Sequence, residues 1–245
     1  EEDRPKASEA MQLFKEANRM LNQLDAVYQT HGVVNIMDAN ADGDDLLLNG
    51  KRFPLLRQQA AKLKKDDPFL CLSDFVRPLS SGITDKIGAF ATTVDAEMEQ
   101  LYAEDDYKRM LVQTLSDRLA EATAEKLHED VRKKLWGYAP DENLSVKDLH
   151  NEKYQGIRPA VGYPSLPDQS INFLLDELLD MKQIGISLTE NGMMKPHASV
   201  CGLMFAHPAS RYFSIGKIGE DQLADYAARR GMSIEETKKF LAANL

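Results

Sequence analysis

The sequence predicts an α+β domain built around a mainly antiparallel, twisted sheet with flanking helices, and three observations carry that expectation. Strand-like segments are grouped and separated by turn signals rather than alternating one-for-one with helices, which is the pattern of hairpin-connected strands. One helical pattern, residues 95–136, is far longer than the rest. No Gly-x-Gly-x-x-Gly turn is present, which argues against a doubly wound nucleotide fold. A chain of 245 residues is near the upper size for one hydrophobic core, so a single domain over 1–245 is expected.

In order along the chain, Met11, Phe14, Ala17, Leu21 and Leu24 recur at helical spacing between charged residues, giving an amphipathic helix over 8–29. Val33, Val34, Ile36 and Met37 read as a strand after Gly32. Residues 44–48 form a second strand that enters a tight hairpin at Asn49-Gly50, since those two residue types supply the positive φ angles of a type I′ turn. A helix is expected over 54–65, a short strand over 69–75, and another strand over 87–94 after the turn residues 79–82. Leu111, Leu115, Leu119, Ala122, Leu127, Val131 and Leu135 make the apolar stripe of the long helix, with a break expected near Glu104-Asp105-Asp106 and a stop at Gly137 and Pro140. Residues 151–168 have neither helical nor strand period and read as a loop. A helix over 171–181, strands over 198–205 and 212–218, and helices over 220–230 and 234–243 close the chain, the last with a capping box from Ser233 and Glu236.

Composition excludes several classes of function. With 43% hydrophobic and 28% charged residues the chain is an ordinary globular one. A net charge of -9 argues against binding nucleic acid or an anionic membrane surface. No apolar run approaches the roughly 20 residues needed to cross a bilayer, and the opening Glu1-Glu2-Asp3-Arg4 is not a signal peptide, so a cytoplasmic location is expected. The chain opens without Met, from which we expect a piece of a longer polypeptide. The two cysteines, Cys71 and Cys201, lie far apart in apolar stretches and read as buried free thiols.

Two motif fragments fail on inspection. Asp38-Ala39-Asn40-Ala41-Asp42-Gly43 starts like a calcium-binding loop, but its twelfth position is Asn49 and its flanks are strand-like, so it reads as a solvated polar turn. His128-Glu129 starts like a zinc-protease helix but lacks the second His, and reads as a surface stretch of the long helix. Neither a metal site nor a catalytic nucleophile is expected. The stretch from Glu152 to Pro164 is different: Pro159 and Pro164 fix φ, Gly156 and Gly162 admit close approach, Arg158 offers a forked donor for a carboxylate or phosphate, and Tyr163 offers an aromatic face. Its residues alone leave two readings open, a ligand-holding loop or a structural turn whose Arg pairs with a nearby acid.

The run Tyr154-Gln155-Gly156-Ile157-Arg158-Pro159-Ala160-Val161-Gly162-Tyr163-Pro164 resembles the Arg-x-x-x-Gly-Tyr signature of the activation domain of cobalamin-dependent methionine synthase. Ala17-Asn18, Asp74-Phe75-Val76, Ile87-Gly88-Ala89-Phe90-Ala91, Asp117-Arg118-Leu119-Ala120-Glu121-Ala122, Trp136-Gly137-Tyr138-Ala139-Pro140, and His207-Pro208 followed by Tyr212 are similar to it in the same order. The resemblance implies a curved α+β module, a C-terminal part of a larger multimodular methyltransferase of methionine biosynthesis, that carries S-adenosyl-L-methionine in a shallow groove. It implies that Asp74 holds the ligand's amino group and Arg158 its carboxylate. Ala160, Gly162 and Tyr163 would line the adenosine, Tyr212 and Phe213 would close the site, and Glu121 and Glu152 would lie on its rim. Val161 and Phe213 are the departures; a second Tyr hydroxyl at position 213 is lost.

The same resemblance implies that the methyl group passes to cobalamin that has been oxidised to the cob(II) state, with flavodoxin or an equivalent reductase supplying the electron. The chain has no Asp-x-His-x-x-Gly motif, so the cobalamin would arrive on a neighbouring module. The chain would position the methyl donor rather than serve as a general acid or base. The alternative is a docking module that caps the cobalamin domain and recruits the reductase without binding the methyl donor.

Overall fold

The computed structural model describes residues 7–59 and 67–245. Its helices are α1 (Ala7–Asp25), α2 (Asp106–Asp130), α3 (Val146–His150), α4 (Ile171–Leu179), α5 (Glu220–Arg230) and α6 (Ile234–Phe240). Its strands are β1 (Thr30–Asp42), β2 (Asp45–Leu48), β3 (Lys51–Pro54), β4 (Asp85–Val94), β5 (Ser187–Leu188), β6 (Met194–Lys195) and β7 (Ser199–Met204). Five strands form one sheet in the order β3-β2-β1-β4-β7, every neighbouring pair antiparallel. The α+β class and the mainly antiparallel sheet are as expected.

Alternation along β4 divides the core. Ile87, Ala89 and Ala91 face a cluster containing Leu46, Leu48, Phe53, Leu166, Ile171 and Leu175, while Phe90 faces Ala124 and Val131 of the long-helix side. Thr92, on the Phe90 face, satisfies its buried hydroxyl by donating to the Ala120 carbonyl at 3.0 Å. The sheet is therefore covered by α2 on one face and by α4 with the 157–166 loop on the other, which explains why β4 is apolar on both sides. The Asn49-Gly50 turn forms as expected, with φ of 49° and 81°. Cys71 and Cys201 are buried free thiols, and burial pushes them up to about 11 and about 12.

Several expectations are corrected. Residues 54–59 are not helical: Pro54 ends β3 and Arg57 bridges Cys71; the rest of the helix expected over 54–65 lies, apart from those residues, outside the described residues. The strand expected over 69–75 is instead a 3-10 turn, Leu72–Phe75, because the Asp74 carboxylate accepts the Cys71 N–H at 2.8 Å and offers the backbone a local partner. Residues 212–218 make no ladder; Phe213 and Ile215 donate to the Ser165 hydroxyl at 3.0 Å and the Pro164 carbonyl at 2.9 Å. The long helix is interrupted where the acidic run predicted it: a 3-10 segment, Ala96–Gln100, precedes α2 and Asp105 caps α2 by accepting the Lys108 N–H. Past Asp130 it widens into a π-turn, Val131–Leu135. His128 is not on the surface but fully buried. Ser233 accepts the Glu236 N–H, as a cap requires. The β5-β6 hairpin has no counterpart in the expected elements.

Candidate functional site

The Arg158 loop is held by main-chain bonds to the edge strand β7. Ile157 and Phe205 exchange N–H···O bonds of 3.0 Å, Leu203 donates to the Pro159 carbonyl at 3.1 Å, and Val161 donates to the Cys201 carbonyl at 2.9 Å. The loop thereby covers a sheet edge that would otherwise expose unpaired groups. Two glycines make the approach possible. A Cβ on Gly202 would lie 2.2 Å from the Pro159 carbonyl oxygen, and one on Gly156, whose φ is 88°, would lie 2.3 Å from that of Phe205. Gly156, noted in the sequence, and Gly202, which was not, thus let the loop lie against a strand, leaving its other side free.

That other side faces a cleft of about 690 Å³, within the range of small-molecule sites. Helix α2 contributes Glu121 and Glu125, the segment from the end of α3 contributes Leu149, His150, Glu152 and Tyr154, and the loop contributes Arg158, Pro159, Ala160, Tyr163, Pro164 and Ser165. Val200 of β7 forms part of the wall, and Tyr212 and Phe213 close it. Tyr212 and Phe213 are fastened across the loop: the Tyr212 hydroxyl accepts the Arg158 backbone N–H at 2.9 Å, and the Ser165 hydroxyl donates to the Phe213 carbonyl while accepting the Phe213 N–H.

Arg158 is the cleft's cation. Its side chain is 12% exposed, Nη2 pairs with Glu125, the guanidinium carbon lies 5.9 Å from the Phe90 ring centroid, and buried Nε has no partner among the described residues. Tyr163 reaches Glu121 with its hydroxyl at 3.5 Å. The cleft therefore combines one guanidinium, three carboxylates and a largely apolar and aromatic wall, an arrangement complementary to a zwitterion bearing an extra positive charge and a flat ring. Burial pushes the Tyr154 hydroxyl above its usual value, so it remains a neutral donor. Among the described residues no cluster of His, Cys, Asp and Glu could hold a metal ion.

Of the nine residues singled out in the sequence, Glu121, Glu152, Arg158, Ala160, Tyr163, Tyr212 and Phe213 line this cleft. Gly162 shapes it from within the loop, with φ 85° and its N–H donated to the Leu166 carbonyl. Asp74 does not line it. It borders a separate depression with Phe75, Arg77 and His207, and its two oxygens are taken by Arg57 at 2.7 and 2.8 Å. Glu125, Tyr154 and Val200 were not among the nine. Glu125 was within reach of sequence reasoning, because it stands four residues after Glu121 on one helix face.

A sequence model of the family described as vitamin B12 dependent methionine synthase, activation domain, matches residues 1–231. The chain belongs to that family. Among solved structures, this activation domain is similar to a crystal structure of the MetH reactivation domain bound to AdoHcy, with 45% identity and a TM-score of 0.91. The match covers 100% of this chain and 79% of that one. The family's methyltransferase and cobalamin setting therefore applies to the activation domain, and no helix among its described residues is long and apolar enough to cross a membrane.

Proposed function

We propose that this activation domain holds S-adenosylmethionine in the cleft and presents its methyl group to cobalamin on a neighbouring module of the same polypeptide during reductive reactivation. The observation that carries the reading is the Arg158 cleft itself, in a chain 45% identical to a reactivation domain bound to AdoHcy. In this reading Arg158 pairs with the ligand carboxylate through the part of its guanidinium that Glu125 does not take. Glu121, Glu125 and Glu152 face the ammonium and sulfonium charges. Ala160, Tyr163, Val200, Tyr212 and Phe213 form the adenosine wall, and Gly162 keeps the loop clear of it. Asp74 has no part, since its carboxylate is committed to Arg57 outside the cleft.

Cobalamin docked against the cleft would supply the cobalt nucleophile, given one electron from flavodoxin or an equivalent reductase, and S-adenosylhomocysteine would leave as the neutral thioether. The chain's own residues orient the donor so that the methyl group points outward and in line, and they exclude water from its other faces. None acts as a general acid or base, because methyl transfer from a sulfonium needs no proton.

Calorimetric titration with S-adenosylhomocysteine tests the reading. The wild-type chain should bind saturably, and Arg158→Ala should weaken binding by about 2 kcal/mol, the cost of stripping a carboxylate of its charged partner. A folded wild-type chain that takes up no ligand would leave a docking role alone. Unchanged affinity in a folded Arg158→Ala variant would remove Arg158 from the site.

A further inference from the structure

Behind the cleft wall lies a buried charged cluster to which the ligand reading assigns no role. His128 and Arg132, one helical turn apart where α2 passes into the π-turn, are both fully buried. Arg132 donates through Nε and Nη2 to the two carboxylate oxygens of Glu142 at 2.8 and 2.7 Å. A buried ion pair contributes little net stability, so its value has to be sought in what its geometry fixes. The guanidinium carbon sits 4.5 Å from the Tyr154 ring centroid, and the His128 ring meets the same ring edge-on at 5.1 Å. His128 is itself within 3.4 Å of the Tyr138 hydroxyl. Tyr154 is thus gripped on two sides. Its hydroxyl neighbours that of Tyr212, which accepts the Arg158 backbone N–H at 2.9 Å.

We propose that His128, Arg132 and Glu142 are positioning residues for the cleft. They clamp the Tyr154 ring so that the Tyr154 and Tyr212 hydroxyls hold the Arg158 main chain, and with it the guanidinium, in the place a ligand carboxylate requires. The consequence for affinity rests on the cleft being the S-adenosylmethionine site; the clamp on the Arg158 backbone does not. Glu142 is bonded to Arg132, Arg132 lies over the Tyr154 ring, the Tyr154 and Tyr212 hydroxyls are neighbours, and Tyr212 is bonded to the Arg158 main chain, each group being buried or partly buried.

The test uses Tyr154→Phe, which removes one hydroxyl and keeps the ring, Glu142→Gln, which removes the charge and keeps the shape, and the double variant. In the ligand-free chain, the backbone amide resonance of Arg158 should shift in both single variants. With S-adenosylhomocysteine, each single variant should bind about fivefold more weakly. The double variant should bind no more weakly than the poorer single one, because both changes break the same path. An unmoved Arg158 amide, unchanged affinity, or losses that multiply in the double variant would overturn the proposal. If Glu142→Gln fails to fold, Tyr154→Phe alone decides it by the same two readings. If the wild-type chain binds no S-adenosylhomocysteine, the ligand reading falls while the Arg158 amide still decides the clamp.

Discussion

Arg158 and Asp74 were paired by resemblance as the two charged ends of one site, and their surroundings separate them. Arg158 opens onto the cleft with Glu125 as its one carboxylate partner among the described residues, whereas Asp74 is held by both terminal nitrogens of Arg57 and by the Cys71 N–H. Asp74→Asn should therefore leave the affinity for S-adenosylhomocysteine unchanged and lower folding stability by about 1 kcal/mol, the worth of a partly exposed charged pair. Urea unfolding alongside calorimetry checks both halves, and a weakened ligand would return Asp74 to the site. Residue type and order were enough to find Arg158, but not to learn that the nearest acids lie on α2. Such a pairing depends on which elements the fold brings together.

Among the elements, those governed by local chemistry were legible in the sequence. The Asn49-Gly50 hairpin and the Ser233 cap follow from side chains that act within a few residues of themselves. Residues 212–218 misled because β-branched and aromatic residues also suit an extended segment fastened to Ser165 and Pro164 instead of a ladder. His128 misled because its polar neighbours suggest an exposed face, while its actual partners, Tyr138 and Tyr154, lie beyond the helix. Its burial and the neighbouring Arg132 and Arg158 hold its pKa well below the ordinary 6.5. The unfolded chain then binds a proton that the folded chain refuses, so stability is complete above about pH 6.5 and falls as the pH drops below it. Replacing His128 with Gln should flatten the decline in thermal midpoint between pH 6.5 and 5; an unaltered slope would contradict this. The loop-to-β7 docking has its own check. A methyl on Gly202 would collide with main-chain atoms of Pro159 and Ala160, so Gly202→Ala should cost about 2–3 kcal/mol and weaken ligand binding with it. Wild-type stability in that variant would mean that the loop is not seated as described.

For the whole molecule, the sheet serves as a frame that sets three remote stretches of sequence around one cleft: α2 with Glu121 and Glu125, the loop with Arg158 and Tyr163, and the strap with Tyr212 and Phe213. The α+β class, the antiparallel sheet and the long helix were legible because periodicity and turn residues report them. The cleft was legible only through the resemblance, since no single stretch contains enough of it to be recognised by its chemistry. The central claim is that this cleft is where the methyl donor sits. A crystal structure of the chain grown with S-adenosylhomocysteine tests it most directly. The ligand carboxylate should lie on Arg158 and its adenosine against Ala160, Tyr163, Tyr212 and Phe213; ligand bound beside Asp74 and His207, or an empty cleft in a saturated crystal, would contradict this placement.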